Sequence, residues 1–169
     1  DGGVVTDFPL GDFVDGTWTF TVTSERPAVV AVRTSTVTLA GSAQSSVDSG
    51  TPAVVTATDF AWFVGAPELK KEALVSVAAG PSPILHLVNT GPTDASVAID
   101  ATGGAGTTVT VKAGGASAIP VTGGISYTLK GFDSLRVSVS YQGNGRLAGF
   151  VVSPPVGLSH PVTVFNQFG

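Results

Sequence analysis

Residues 135–141, LRVSVSY, carry the pattern that decides the fold of this chain. Every second position of the stretch is apolar: Leu135, Val137, Val139 and Tyr141. Because successive side chains of a β-strand point to opposite faces, this alternation predicts a strand with one face in a core and the other in water. The same alternation recurs in three other segments: 17–23 (TWTFTVT), 96–100 (SVAID) and 107–112 (TTVTVK).

Four further segments are apolar on both faces, which predicts central strands covered on both sides. They are 28–32 (AVVAV), 61–64 (AWFV), 84–88 (ILHLV) and 148–152 (AGFVV). Turn-forming residues, among them 22 Gly and 11 Pro, separate most of the strands. The strand spacing of about 8 to 12 residues is typical of sandwiches and barrels.

Helix signals are confined to residues 67–74, PELKKEAL, where Pro67 and Glu68 suit a helix start. One or two turns near 67–73 is the most helix that we expect. We therefore predict an all-β fold, an antiparallel β-sandwich that is immunoglobulin-like or jelly-roll-like, with almost no helix.

A chain of 169 residues suits one domain, and we interpret residues 1–169 as a single β-sandwich region. A second division stays open, because the segments 15–35 and 123–143 share one plan of turn and strand. That division comprises 1–40 as the tail of a first module, 41–58 as a loop or linker, and 59–169 as a complete second module.

Composition narrows the classes of function. Charged residues make up only 12% of the chain, about half the usual share, which is typical of extracellular β-rich modules. The net charge of −4 and the scattered basic residues argue against binding to nucleic acid or to an anionic membrane surface. The absence of cysteine excludes disulfide scaffolds, thiolate metal sites and cysteine catalysis. No apolar run reaches the roughly 18 residues of a membrane helix, so we expect no membrane insertion of this segment.

Neither histidine is placed like a catalytic base. His86 lies inside the apolar run 84–88, where a histidine packed within or at the rim of a sheet is the simpler interpretation. His160 stands in a proline-flanked turn near the C-terminus, and no nucleophile-elbow motif accompanies either residue. We therefore predict no catalytic residue and regard the protein as a non-enzyme.

Carboxylates and glycines offer weaker candidates. Glycoside hydrolysis needs two carboxyl groups about 5 to 9.5 Å apart, and two pairs are considered: Asp12 with Asp15, and Asp59 with Glu68. The candidate ligands for a calcium ion are Asn89, Asp94 and Asp100. Asparagine and aspartate are common in turns, which already accounts for these residue types here. Two histidines are too few for zinc, and the glycine motifs lack the helix that a phosphate site needs. The sequence predicts no metal and no cofactor.

The segment 59–63, DFAWF, supplies the residues of the one ligand site that we consider, Asp59 and Trp62. Aromatic residues project from it to both sides, so it is either a doubly covered strand or part of an exposed platform. We favour the covered strand and expect Trp62 to be mostly buried. We also expect Trp18 to lie in the core, because it stands on the apolar face of an alternating strand.

A family resemblance rests on five phrases that occur in order: DFAWFVGAPEL from Asp59, LHLVNTG from Leu85, ASVAI from Ala95, VKAGGASAIPV from Val111 and LAGFVVSPP from Leu147. Over 16–34 and roughly 59–154 the chain resembles the secreted β-sandwich domains of unknown function in actinobacterial cell-envelope proteins. The resemblance implies a sandwich and a secreted or cell-surface location in a bacterium. It implies no catalytic residue.

Three functions remain open. The preferred one is a non-catalytic extracellular or cell-envelope module that acts as a structural or protein-interaction domain, with neighbouring domains or envelope proteins as partners. The alternative is a carbohydrate-binding module, which an exposed Trp62 beside Asp59 would favour. The third is a glycoside-active enzyme, which would need two carboxylates that converge in a cleft.

Overall fold

A computed structural model describes residues 4–11, 16–39, 55–143 and 145–154. Within these ranges it contains nine β-strands and no helix, which confirms the all-β prediction for this part of the chain. The strands in chain order are β1 (Ala31–Leu39), β2 (Val55–Val64), β3 (Leu69–Val77), β4 (Ile84–Asn89), β5 (Ala95–Ala101), β6 (Thr107–Val111), β7 (Ala116–Pro120), β8 (Ile125–Gly143) and β9 (Arg146–Val151).

Strand β8 is the centre of the fold. Its 19 residues pair with four other strands, all of them antiparallel. Its first half lies between β3 and β5, and its second half lies between β4 and β9. The first group continues through β5 to β6, and the second continues through β4 to β7. One long strand thereby joins two layers, β6-β5-β8-β3 and β7-β4-β8-β9, which pack together as an antiparallel sandwich.

The partners of β8 change where the backbone leaves the ordinary strand conformation. Gly131 has a φ of 86°, and a Cβ at this position would lie 2.5 Å from the carbonyl oxygen of Ser96 on β5. On the other side of β8, the register of β3 shifts around Lys71, which pairs with Phe132 and has a φ of 68°. A bulge on β3 and a glycine on β8 therefore coincide where the sheet curls from one layer into the other.

The core lies between the two layers and is built from alternate residues of the strands. Leu135, Val137 and Val139 are at most 1% exposed and Tyr141 is 8% exposed, so the prediction from residues 135–141 is confirmed for the apolar face. Leu129, in the first half of β8, and several large side chains of the other strands are also fully buried: Leu69, Val75, Leu85, Leu87, Val97 and Val111.

Strands β1 and β2 form a separate two-stranded antiparallel sheet whose hairpin lies against β9. The backbone N–H of Leu147 donates to Oδ2 of Asp59 at 2.9 Å. The Phe63 ring approaches Gly149 so closely that a Cβ on this glycine would lie 2.2 Å from the ring. A glycine at this position of β9 therefore lets β2 sit directly on the sandwich.

The hairpin also covers the polar side of β8. Gly149 pairs with Ser140, so the two residues lie on the same face of the second layer. The guanidinium of Arg136 donates to the carbonyl oxygen of Ala66 in the segment that leads from β2 to β3. Arg136, Ser138 and Ser140 are consequently half-buried, whereas alternation alone predicted that they face water.

The predicted helical turn at residues 67–73 is wrong, because residues 69–77 form β3. Beyond the bulge, Ala73, Val75 and Val77 alternate into the core and pair with β8. Helix start signals are a weak preference, and burial against a long strand outweighs them.

Three predictions for residues 17–64 are also wrong. Residues 17–23 form no strand, and Trp18 is 49% exposed although we expected it in the core. Residues 61–64 belong to the hairpin, which has one exposed face, and are not a doubly covered strand. Alternation describes how a segment is buried once it belongs to a sheet, and 17–23 belongs to neither of the described sheets.

Among the four segments predicted as central strands covered on both sides, 84–88 lies inside a layer, with β7 on one side and β8 on the other. The prediction is wrong for 28–32, where Val29 is 99% exposed, and for 148–152, where Phe150 of β9 is 38% exposed. Residues 31–39 and 55–64 pair with each other, so one hairpin combines strands from both parts of the alternative domain division. Much of the proposed linker 41–58 falls outside the described residues, and that division stays a prediction.

Substitution of two glycines tests the crossover. Gly131→Ala and Gly103→Ala both impose a left-handed φ on a residue with a Cβ, but only at Gly131 does the new Cβ meet backbone, the Ser96 carbonyl. We expect Gly103→Ala to lower the free energy of unfolding by about 1 kcal/mol and Gly131→Ala to lower it clearly more. Urea unfolding followed by circular dichroism measures both, and equal losses would contradict the close approach of β5 and β8.

Candidate functional site

The outer side of the β1–β2 hairpin exposes large apolar side chains on a regular strand. Phe60, Trp62 and Val64 occupy alternate positions of β2 and are 59%, 55% and 52% exposed. Arg33 pairs with Trp62 across the hairpin, and Val37, 54% exposed, lies on the same side of β1. We call Arg33, Val37, Phe60, Trp62 and Val64 the aromatic face.

The opposite side of β2 attaches the hairpin to the sandwich. Ala61 is 8% exposed and Phe63 lies against Gly149. Asp59 accepts hydrogen bonds from the backbone N–H groups of Leu147 and Phe60, each at 2.9 Å. These hydrogen bonds, with that from Leu147 the larger cause, lower the pKa of Asp59 below its usual value of 3.8. Asp59 therefore acts as an ionised anchor between β2 and β9.

Arg33 and Trp62 form a cation–π pair on the aromatic face. The guanidinium carbon of Arg33 lies 5.9 Å from the centroid of the Trp62 ring. Exposed pairs of this kind contribute about 0.5 to 1 kcal/mol. The pair places the Arg33 guanidinium over one side of the Trp62 ring.

The expectation that Trp62 is mostly buried is wrong. The segment 59–63 has aromatic bulk on both sides, but the sandwich covers only the side that carries Asp59 and Phe63. Asp59 and Trp62 are three residues apart on one strand and therefore project from opposite faces of the hairpin. The two residues that we assigned to one ligand site do not lie together.

His86 lies in the middle of β4 and is half-buried. Its Nε2 is 2.7 Å from the hydroxyl oxygen of Ser140 on the neighbouring strand β8. Burial lowers the pKa of His86 below its usual value of 6.5. This is the environment of a histidine packed within a sheet, as we expected. His160, Asp12 and Asp15 lie outside the described residues.

Two of the three residues considered as calcium ligands, Asn89 and Asp94, make contacts within the framework. Asn89, 2% exposed, donates to the carbonyl oxygens of Thr93 and Val111 and accepts from the N–H of Gly91. Asp94 accepts from the Lys112 ammonium at 2.6 Å and from the Ala113 N–H at 3.0 Å. These contacts fix the loop between β4 and β5. No group of three or more His, Asp or Glu that could hold a metal occurs in the ranges that the structure describes.

An open cleft of about 400 Å³ lies beside this loop, between the β3 bulge and the crossover of β8. Lys71 and Asp133 both line it, and neither forms an ion pair with a described residue. The hydroxyl groups of Thr90 and Ser134 lie 2.6 Å apart nearby. Sequence reasoning missed this cleft, because no motif links residues of β3 and β8.

Glu68, the proposed carboxylate partner of Asp59, forms a 3.6 Å ion pair with Lys70.

Comparison of the chain with protein-family models, curated proteins and solved structures found no match. The resemblance to actinobacterial envelope domains therefore rests on the quoted sequence phrases alone. Across the described ranges, the structure has no helix with the length and hydrophobicity needed to cross a membrane.

Fluorescence quenching tests the exposure of Trp62. A Trp18→Phe variant leaves Trp62 as the only tryptophan, and an indole that is 55% exposed should be quenched efficiently by acrylamide. Iodide should quench at least as well, because Arg33 places a cation beside the ring. Weak quenching with blue-shifted emission would contradict the exposed aromatic face.

The pH dependence of stability tests the burial of His86. Because folding lowers the pKa of His86, the unfolded chain binds more protons than the folded chain between that lowered value and about 6.5. The contribution of the buried, neutral His86 to the free energy of unfolding is therefore fully present above about pH 6.5. It is lost as the pH falls below that value. A His86→Gln variant should lack this component, so the stability difference between wild type and variant should shrink on acidification. A difference that stays constant from neutral pH to pH 5 would contradict it.

Proposed function

We propose that this chain is a non-catalytic module of the bacterial cell surface that acts as a structural or protein-interaction domain, with the aromatic face as its docking surface. One observation carries the proposal: Phe60, Trp62 and Val64 are each more than half exposed on one side of a regular strand. Large apolar side chains gathered on one exposed surface are typical of interaction sites.

The chemistry of the aromatic face suits a protein partner. Protein interfaces are enriched in aromatic residues and arginine, and they are depleted of other charged residues in their centres. The aromatic face has Trp62, Phe60 and Arg33 as its large side chains, and Arg33 is its only charged residue. The inner contacts of Asp59 and Phe63 hold the hairpin on the sandwich, which supports a surface that is formed before a partner arrives.

A secreted or cell-surface location is supported by composition and by the resemblance. Charged residues amount to 12%, and the exposed polar positions are filled largely by Thr, Ser and Gly. A role without catalysis is supported by the contacts of the candidate groups. Asp59, His86 and Asp94 each bond to neighbouring strands or loops, which gives each of them a structural task.

A carbohydrate ligand is the second candidate, and the exposure of Trp62 favours it, because sugar rings stack on exposed indoles. Two features weigh against it. Arg33 takes one side of the ring, and Asp59, the nearest candidate hydrogen-bonding carboxylate, projects from the opposite side of the strand. A protein partner therefore remains the preferred interpretation.

Site-specific cross-linking tests the proposal. A photoreactive phenylalanine analogue at position 62 should form cross-links to protein in the organism that encodes the chain, and mass spectrometry should locate one recurring partner peptide. A photoreactive residue placed in that partner peptide should cross-link back to the aromatic face. Thr108, exposed on β6, gives the matched control position. Equal cross-linking from positions 62 and 108 would contradict a docking role.

Binding to purified cell-wall polysaccharide separates the two candidates. We expect wild type and Trp62→Ala to bind it equally, or not at all. Retention by polysaccharide that is lost in Trp62→Ala and kept in Trp18→Ala would make carbohydrate binding the leading function.

A further inference from the structure

The outer edge of β1 combines with the aromatic face to form a surface of a particular kind. Among the described strands, β1 pairs with β2 alone, so its other edge presents backbone donors and acceptors that no described strand uses. Such an edge is a template on which another β-strand can add. The contacts that fix the hairpin to the sandwich come from β2, through Asp59 and Phe63, so β1 is the strand on the far side of the hairpin from those contacts.

This edge lacks the usual protection against strand addition. Residues 31–39, AVRTSTVTL, contain no proline and one charged residue, Arg33. The pairing of β1 with β2 is regular from Ala31 to Thr38, and its register shifts only at the last step to Leu39. Ala31, Arg33, Thr34, Ser35 and Val37 are all exposed. Monomeric proteins commonly block such an edge with lysine, proline or a bulge.

We propose that a second copy of this chain adds its β1 to this edge, antiparallel, so that two hairpins form one four-stranded sheet. The proposal rests on the proposed function, since the pairing joins the aromatic faces of two copies into one docking surface. The new sheet has the order β2-β1-β1-β2, and the two copies are related by a twofold axis. In such an isologous contact, each copy contributes the same residues to the interface.

The sequence of β1 suits self-pairing centred on Ser35. With Ser35 opposite Ser35 of the second copy, Thr34 meets Thr36, and Arg33 meets Val37. Threonine pairs are favourable across antiparallel strands. The two arginines are kept apart, so the only cation of the strand does not oppose itself. Residues that pair directly share a face, so the aromatic faces of the two copies become one continuous surface.

Charge exchange at position 35 tests the pairing. At about 100 µM, well above a micromolar Kd, wild type should be mainly dimeric. Light scattering after size-exclusion chromatography measures this. Ser35→Lys and Ser35→Glu each place like charges opposite each other at the twofold axis and should raise the dimer Kd at least tenfold. An equimolar mixture of the two variants should restore a dimer, which is heterodimeric.

Controls distinguish this pairing from association through a different surface. Thr108→Lys adds a charge to exposed β6 and should leave the dimer unchanged. In wild type, exchange of the amide protons of residues 31–37 should slow as protein concentration rises, a readout that needs no variant to fold. A monomeric wild type, or dimers that persist in both charged variants, would overturn the proposal. A wild type that stays monomeric while position 62 still cross-links to a different protein would overturn self-pairing and leave the docking function standing.

Discussion

Both layers of the sandwich depend on one continuous set of backbone hydrogen bonds, those of β8. Leu129 is buried in the first layer and Val137 in the second, and the same strand sets the register of both. A slip of one residue along β8 would therefore turn apolar side chains outward in both layers at once. Strand β8 passes from one layer to the other at Gly131. The left-handed backbone of this residue and its missing side chain leave room for the Ser96 carbonyl of β5.

Much of the fold could be predicted from local alternation, and the failures have a common physical origin. LRVSVSY and ILHLV indicate buried strands correctly because their neighbours are strands of the same sheet, β8 beside β4. PELKKEAL carries local helix signals, yet its conformation is decided by pairing with β8, from Leu69 with Leu135 to Leu74 with Thr128. The alternation of 17–23 is equally clean, but alternation alone does not place a segment in a sheet.

The candidate site could be predicted only in part. Segment 59–63 stood out by its aromatic residues, but which of its two sides is covered depends on Leu147, 88 residues away, and on Gly149. A glycine in AGFVV gives no local sign that a phenylalanine ring will rest on it. The pairing of Trp62 with Arg33 likewise follows from the hairpin register and has no sequence motif.

The geometry of the hairpin has a mechanical consequence. The chain enters β1 at Ala31 beside the point where it leaves β2 at Val64, and Val30 accepts a hydrogen bond from the N–H of Gly65 just outside that pair. A force that pulls the chain before β1 away from the sandwich therefore acts on the hydrogen-bonded pairs of β1 and β2 one after another, starting at this end. Strand β8 has partner strands on both sides over residues 127–130 and 138–140, inside the sheet, and is shielded from that load. The hairpin can yield first and lengthen the chain while the sandwich behind it stays intact.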